Sequence, residues 1–409
     1  MDKVLGIIAE YNPFHNGHLY HLQQSKKALN ISHSIAIISG NFTQRGSVSI
    51  IDKWSKAEMA LKNGIDLVIE LPLLYSISSA ENFAEGAIKI LNSINLVDYI
   101  SFGSECGDIN KLTDIANILY NEPKEYKNLL SIELRKGLSF PKARELALNK
   151  YLKTDNISNL LGSSNNILGI EYIKALRKYK SSIVPFTLQR FNTNYNDFNI
   201  NNNIASSTAI RQFLKNEDFD SISKVLPPDV VEIILDKFNS GEVLTDLSIF
   251  EKEIIYTLRK MSIKEISMLP DVTEGLEYSI KNAVNQCNNI SSLIEQIKSK
   301  RYTYTRLQRI LIYCLLGITK DDMNLAKNTI PFIRVLGFNA NGKKLLSSIS
   351  KNNPNLHIIT SVKKFMDSCV DDNLKLILKK DILASNIYTL GYNSSSPANL
   401  DYTHKLIIT

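Results

Sequence analysis

Four short apolar runs constrain this chain more than any other feature. VLGIIA (4–9), SIAIIS (34–39), DLVIEL (66–71) and VDYISFG (97–103) are each followed by helical periodicity, at 17–29, 52–63, 79–92 and, with breaks, 108–152. Strands buried on both faces read as apolar runs instead of alternating, and strand–helix alternation supplies the crossovers that parallel pairing needs. The pattern therefore predicts a parallel sheet covered on both sides. A further helix (165–179) and strand (182–190) extend it into a doubly wound, Rossmann-like α/β unit over residues 1–215.

Beyond residue 215 the grammar changes. Helices are expected at 228–238, 247–266, 278–299, 305–317 and 372–386, with a small strand–helix–strand element near 332–362. Residues 216–409 thus read as a second, mainly helical domain, and 409 residues suit such a division. The stretch 191–203 holds seven asparagines and reads as a polar loop. No run approaches the roughly 18 apolar residues of a membrane helix, and the first residues lack a basic-then-apolar leader. A cytoplasmic protein without membrane contact is the expectation. Four cysteines with no CxxC pair argue against a zinc ribbon or a disulfide frame.

The loop after the first strand, EYNPFHNGHLYH (10–21), carries the densest chemistry. At the carboxyl edge of a Rossmann-like sheet, this is where nucleotides bind. His15 and His18, spaced as HxGH at a helix start, are placed to donate to α- and β-phosphate oxygens and stabilise a five-coordinate phosphorus. The helix N-terminus adds free N–H groups and partial positive charge. Gly17 has no Cβ to keep a nucleotide away, and Pro13 stiffens the approach. The chemistry implied is adenylyl transfer, with pyrophosphate leaving. A bland alternative is that the two histidines cap a helix. A His18–His21 zinc site is a weaker rival, so no metal site is expected. A second signature is ASSTAIR (205–211), where Ser206, Ser207 and Thr208 open a helix and Arg211 lies one turn in. Hydroxyls, backbone N–H groups and a guanidinium there suit β- and γ-phosphates.

These motifs, with SGNFTQRG, FGSE, NNILGIEY, EGLE and RVLGFNANGKKLL, resemble the bacterial tRNA(Met) cytidine acetate ligase family of the HxGH nucleotidyltransferase superfamily. The resemblance runs from Val4 to about Leu346. It implies that ATP and acetate form acetyl-adenylate, and that the acetyl group passes to N4 of the wobble cytidine of elongator tRNA(Met). It implies an ATP-binding stretch at Ile7, Ile8, Ala9, Glu10, Tyr11, Asn12, Pro13, Phe14, His15, Asn16, Gly17, His18, Leu19 and Tyr20. It adds Gly103, Asn165 (with Asn166 second) and Arg190 to that stretch, and casts His15, His18 and Arg211 as catalytic. Mg²⁺ is expected with the triphosphate. Arg45 and Lys53 are further candidates for phosphate or acetate. The competing reading is an adenylyltransferase for a small phosphate-ester metabolite.

Net charge is +7, and one window concentrates it: residues 298–351 hold eleven Lys/Arg against Asp321 and Asp322. Tyr302, Tyr304 and Tyr313 interleave with Arg306 and Arg309, a pattern suited to phosphate contact and base stacking. Arg306, Arg309, Lys343 and Lys344 are therefore the candidate tRNA contacts, with a second cluster at Lys174, Arg177, Lys178 and Lys180.

Overall fold

The computed structural model describes residues 3–138, 140–154, 157–190, 203–299, 301–329 and 332–409. Residues 191–202 of the expected polar loop, and Lys300 of the basic window, lie outside them. The strands are β1 (Val4–Ala9), β2 (His33–Ser39), β3 (Leu67–Leu71), β4 (Tyr99–Ser104), β5 (Val184–Gln189), β6 (Ile333–Phe338), β7 (Ile358–Ile359) and β8 (Ile407–Ile408). They form one sheet in the order β5-β4-β1-β2-β3-β6-β7, with β8 beside β6. The first five strands are parallel, and each is the run or segment that the sequence marks.

Alternate residues of these strands feed opposite cores. On β2, Ile35 and Ile37 join one cluster with Leu67 and Ile69. Ala36 and Ile38 join the other with Leu5, Ile7, Val68 and the helix residues Trp54, Ala57 and Ile210. Each fully buried Leu or Ile contributes about 1.5–3 kcal/mol, so a run apolar at every position is what a sheet covered on both faces selects. The chain proceeds outward through β2 and β3, then returns across β1 to β4 and β5. That reversal opens a crevice at the carboxyl ends of β1 and β4.

The division at residue 215 marks a change to helices and not the end of the sheet. Strand β6 pairs antiparallel with β3, Leu67 opposite Phe338 and Glu70 opposite Arg334. The strand–helix–strand element near 332–362 thus lies in the main sheet, and β8 brings the last residues onto β6. Two long helices expected from periodicity are interrupted. The 247–266 stretch breaks at Met261, where Ser262 opens a new helix with a reciprocal Ser262–Glu265 cap. The 278–299 stretch becomes helices Leu276–Gln286 and Ile290–Ile297. All four cysteines are free, and Cys287, Cys314 and Cys369 are buried. No described helix is long and apolar enough to cross a membrane.

Candidate active site

A cavity of about 480 Å³ opens at the crevice between the ends of β1 and β4. The first helix (Asn16–Leu29) starts on its wall, capped by His15. The helices Ser164–Lys178, Ser207–Lys215 and Tyr304–Leu316 also contribute first-turn residues: Ser164 and Asn165, Ser207, and Thr305. Four helix N-termini therefore converge on one space, a field that favours anions.

The two HxGH imidazoles both cap this helix and line the cavity. His15 Nδ1 accepts from Gly17 N–H at 3.1 Å, and His18 Nδ1 accepts from His15 N–H at 3.2 Å. Each contact fixes a tautomer by leaving the proton on Nε2. His15 Nε2–H donates to Ser207 Oγ at 3.1 Å; among the described residues His18 Nε2 has no partner. The rings stack with centroids 3.7 Å apart. Burial, reinforced by Arg190 and Arg211, pushes the His15 pKa down to about 3. Burial and neighbouring His15 hold His18 well below its usual value. Both rings are therefore neutral N–H donors at pH 7. Gly17 is needed for this pair: a Cβ there would meet His15 Cε1 at 2.9 Å. The space that its hydrogen leaves holds the His15 ring, not the adenine or ribose expected from the sequence.

The expected ATP-binding stretch divides. Ile7, Ile8, Ala9, Glu10, Tyr11, Asn12 and Tyr20 line the cavity with the histidines and Gly17. Pro13, Phe14, Asn16 and Leu19 do not. Phe14 is buried against Tyr11 and His18, and Asn16 ties the helix to Asn203 and Lys224 carbonyls. Gly103 lines the cavity, but a Cβ on it would meet Arg190 Cγ at 3.0 Å; its lack of a side chain lets the Arg190 stem cross. Arg190 and Arg45 are both on the wall, Arg45 donating to Ser164 Oγ at 2.9 Å. Asn165 lines the wall and donates to Glu105 Oε1 at 2.7 Å. Asn166 is buried instead, its Oδ1 accepting from Glu105 and Cys106 N–H.

In the second signature, Ser206 and Ser207 line the cavity and Ser206 caps its helix. Thr208 and Arg211 sit behind the wall: Arg211 donates to Asn12 O and to Thr208 Oγ1, both at 3.1 Å. Arg211 thus holds the HxGH loop from outside.

Three expected contacts are corrected, at Lys53, Arg309 and Arg306. Lys53 is fully buried and turned away from the cavity; its Nζ donates to Glu70 Oε1 at 2.9 Å and Asp401 Oδ1 at 2.7 Å. Arg309 is buried and forms a two-nitrogen pair with Asp271 Oδ2 at 2.9 and 2.8 Å. Arg306 spends its guanidinium on Asp271 O and Thr273 Oγ1. Lys343 and Lys344 are exposed but follow the end of β6, which faces the start of β3. They lie at the sheet edge opposite the cavity. In the second basic cluster, Lys174 pairs with Glu81 and Glu171, and Lys178 with Glu85.

Sequence reasoning missed several residues here. Lys56, three positions beyond Lys53, is fully buried and donates to the carbonyls of Glu10 (3.1 Å), Ser39 (2.8 Å) and Gly40 (2.6 Å). It ties together the ends of β1 and β2, and burial pushes its pKa down to about 7. Glu105 stood in the FGSE motif without a role. His21, which the sequence offers only as a metal ligand, lines the wall with Nε2 2.9 Å from Ser101 Oγ. Thr305 comes from a distant helix with no sequence signal. Among the described residues no group of three or more His, Cys, Asp or Glu is arranged to hold a metal.

A family model described as HIGH Nucleotidyl Transferase matches residues 2–402. The tRNA(Met) cytidine acetate ligase of Thermoanaerobacter sp. (strain X514) is 46% identical over 404 residues, covering 99% of each chain. That of Acetivibrio thermocellus is 44% identical over 415 residues, covering 99% of this chain and all of its own (100%). The apo crystal structure of Thermotoga maritima TmcAL matches with a TM-score of 0.94 at 32% identity over 99% of both chains. The same protein bound with alpha-thio ATP matches at 0.92 and 33%, again over 99% of both. The chain belongs to the HIGH nucleotidyl transferase family and, within it, to the tRNA(Met) cytidine acetate ligases.

Proposed function

We propose that this protein activates acetate with ATP and transfers the acetyl group to N4 of the wobble cytidine of elongator tRNA(Met). The observation that carries the first step is the pair of neutral imidazoles on the cavity wall with Nδ1 locked by the backbone, His18 Nε2–H without a partner among the described residues and His15 Nε2–H on Ser207 Oγ. Acetate oxygen attacks the α-phosphorus and pyrophosphate leaves. Donors already fixed in place stabilise the charge that develops, each contributing about 2.7–4 kcal/mol in such sites. The surrounding helix N-termini, Arg190, Arg45, Ser206 and Ser207 favour the triphosphate. Arg211 acts as a positioning residue through Asn12. Mg²⁺ would enter with the triphosphate and neutralise part of its charge; with no protein cluster of three ligands described, phosphate oxygens and water would hold it.

The second step supplies specificity, because acetate offers little to bind. The test is incubation with ATP, radiolabelled acetate and total tRNA. Acetyl-adenylate should form without RNA, and labelled N4-acetylcytidine should appear in elongator tRNA(Met) alone. His18→Ala should slow adenylate formation on the order of 10²–10³-fold. Adenylylation of a small phosphate ester with no reaction of acetate would overturn the assignment.

A further inference from the structure

The second half-reaction needs a group that takes a proton. The exocyclic N4 of cytidine is a poor nucleophile because its lone pair is delocalised into the ring. Attack on an acetyl carbonyl is productive only if N4 loses a proton as the bond forms.

The cavity restricts which group that can be. His15 and His18 already carry their proton on Nε2, so neither ring can accept there. His21 Nε2 is engaged with Ser101, and burial holds its pKa down to about 4. Lys56 lies behind the wall, its Nζ committed to three carbonyls. Among the described residues, the carboxylates lining the cavity are Glu10 and Glu105. Both Glu105 oxygens are occupied, Oε1 by Asn165 Nδ2 at 2.7 Å and Oε2 by Asn166 N–H at 3.0 Å. Glu10 differs. Its Oε1 accepts from Gln44 N–H at 2.8 Å, and its Oε2 has no partner among the described residues. Glu10 directly follows β1 and is held by the loop that also carries Arg45 and Gly46. Gly46 packs on the helix Tyr304–Leu316, whose Thr305 enters the cavity wall. Glu10 and Thr305 therefore line the same cavity.

We propose that Glu10 is the proton acceptor for acetyl transfer, a reading that rests on the function proposed above. The N4–C bond forms and the bond between the acetyl carbon and the phosphate oxygen of acetyl-adenylate breaks. AMP leaves with that electron pair, and one N4 proton passes to the Glu10 carboxylate. The products are N4-acetylcytidine, AMP and a protonated Glu10 that returns its proton to water.

The experiment separates the two half-reactions in the full chain. Activation is measured as acetate-dependent exchange of pyrophosphate into ATP. Transfer is measured in a single turnover after tRNA(Met) is added to preformed acetyl-adenylate. Glu10→Gln should slow transfer on the order of 10²–10⁴-fold, the usual worth of general base catalysis, and by far more than it slows activation. Glu10→Asp keeps the carboxylate and should recover part of the transfer rate with a stable fold. Equal losses in both steps, transfer at the wild-type rate in Glu10→Gln, or an Asp variant no better than Gln would overturn the assignment. Wild-type protein that exchanges no pyrophosphate with acetate would instead sink the function on which the inference stands.

Discussion

His15 shows how one residue is fixed from both ends. Its Nδ1 caps the first helix, and its Nε2–H is left as a donor, so the ring works only while neutral. Burial and two nearby guanidiniums hold its pKa at about 3, against about 6.5 in an unfolded chain. Between those values the unfolded state binds a proton that the folded state does not. Stability therefore falls as pH drops below about 6.5, by 1.36 kcal/mol per pH unit for one such group, or about 2 kcal/mol at pH 5. His15→Gln removes this contribution. Plots of urea-derived unfolding free energy against pH should differ in slope by about one proton between the two proteins from pH 6 to 5. Parallel plots would mean that the folded ring is already protonated there. Lys53 makes the contrasting case. A lysine beside a predicted active-site loop reads as a phosphate ligand, because nothing local reveals partners at Glu70 and Asp401, 17 and 348 positions away.

The elements differ in how far their sequence exposes them. β1 to β4 were legible because strands buried on both faces must be apolar at nearly every position. The site loops were legible because histidines and hydroxyl residues at helix starts carry a local signature. The sequence marks β6 as a strand but not as part of the main sheet, since pairing with β3 depends on residues more than 260 positions apart. The helix Tyr304–Leu316 reads as a basic face in the sequence, yet Arg306 and Arg309 serve Asp271; one-dimensional charge does not distinguish a solvated guanidinium from a paired one. What this helix does is support the loop 40–48. Gly46 sits at φ +77°, and a Cβ there would lie 2.6 Å from Arg309 N and 2.7 Å from Gln308 C. Gly46→Ala meets both a left-handed backbone and an unyielding neighbour. It should cost more than about 1 kcal/mol in denaturant unfolding. It should also slow acetylation, because Gln44, which holds Glu10, moves with the loop. An unchanged midpoint would show that loop and helix separate without penalty.

At the scale of the molecule, the sheet and a buried ionic cluster join the two ends of the chain. Lys53 and Arg334 share Glu70 and Asp401: Arg334 Nη2 lies 2.6 Å from Asp401 Oδ1, and its Nε lies 3.4 Å from Glu70 Oε2. Trp54 stacks on His404 with centroids 4.4 Å apart, and β8 closes over β6 beside them. Asp381 faces the same cluster, but burial and neighbouring Glu70 push its carboxyl up toward the protonated form; two cations against two carboxylates then balance in charge, and each of those four side chains is nearly excluded from water. Taking charges out of water costs as much as their attraction returns, so the intact cluster adds little net stability. Its effect appears when one member is lost. Asp401→Ala leaves two cations facing one carboxylate, a change that costs about 3–5 kcal/mol in buried pairs. Urea unfolding of this variant should show that loss. Lys53→Met combined with Asp401→Ala should lose less than the sum of the two single changes, because the double variant restores one cation to one carboxylate. Additive losses, or a single-variant loss below about 1 kcal/mol, would mean that water reaches the cluster. In that case the C-terminal residues would be held by the Trp54–His404 stack and the β8 pairing, and not by charge.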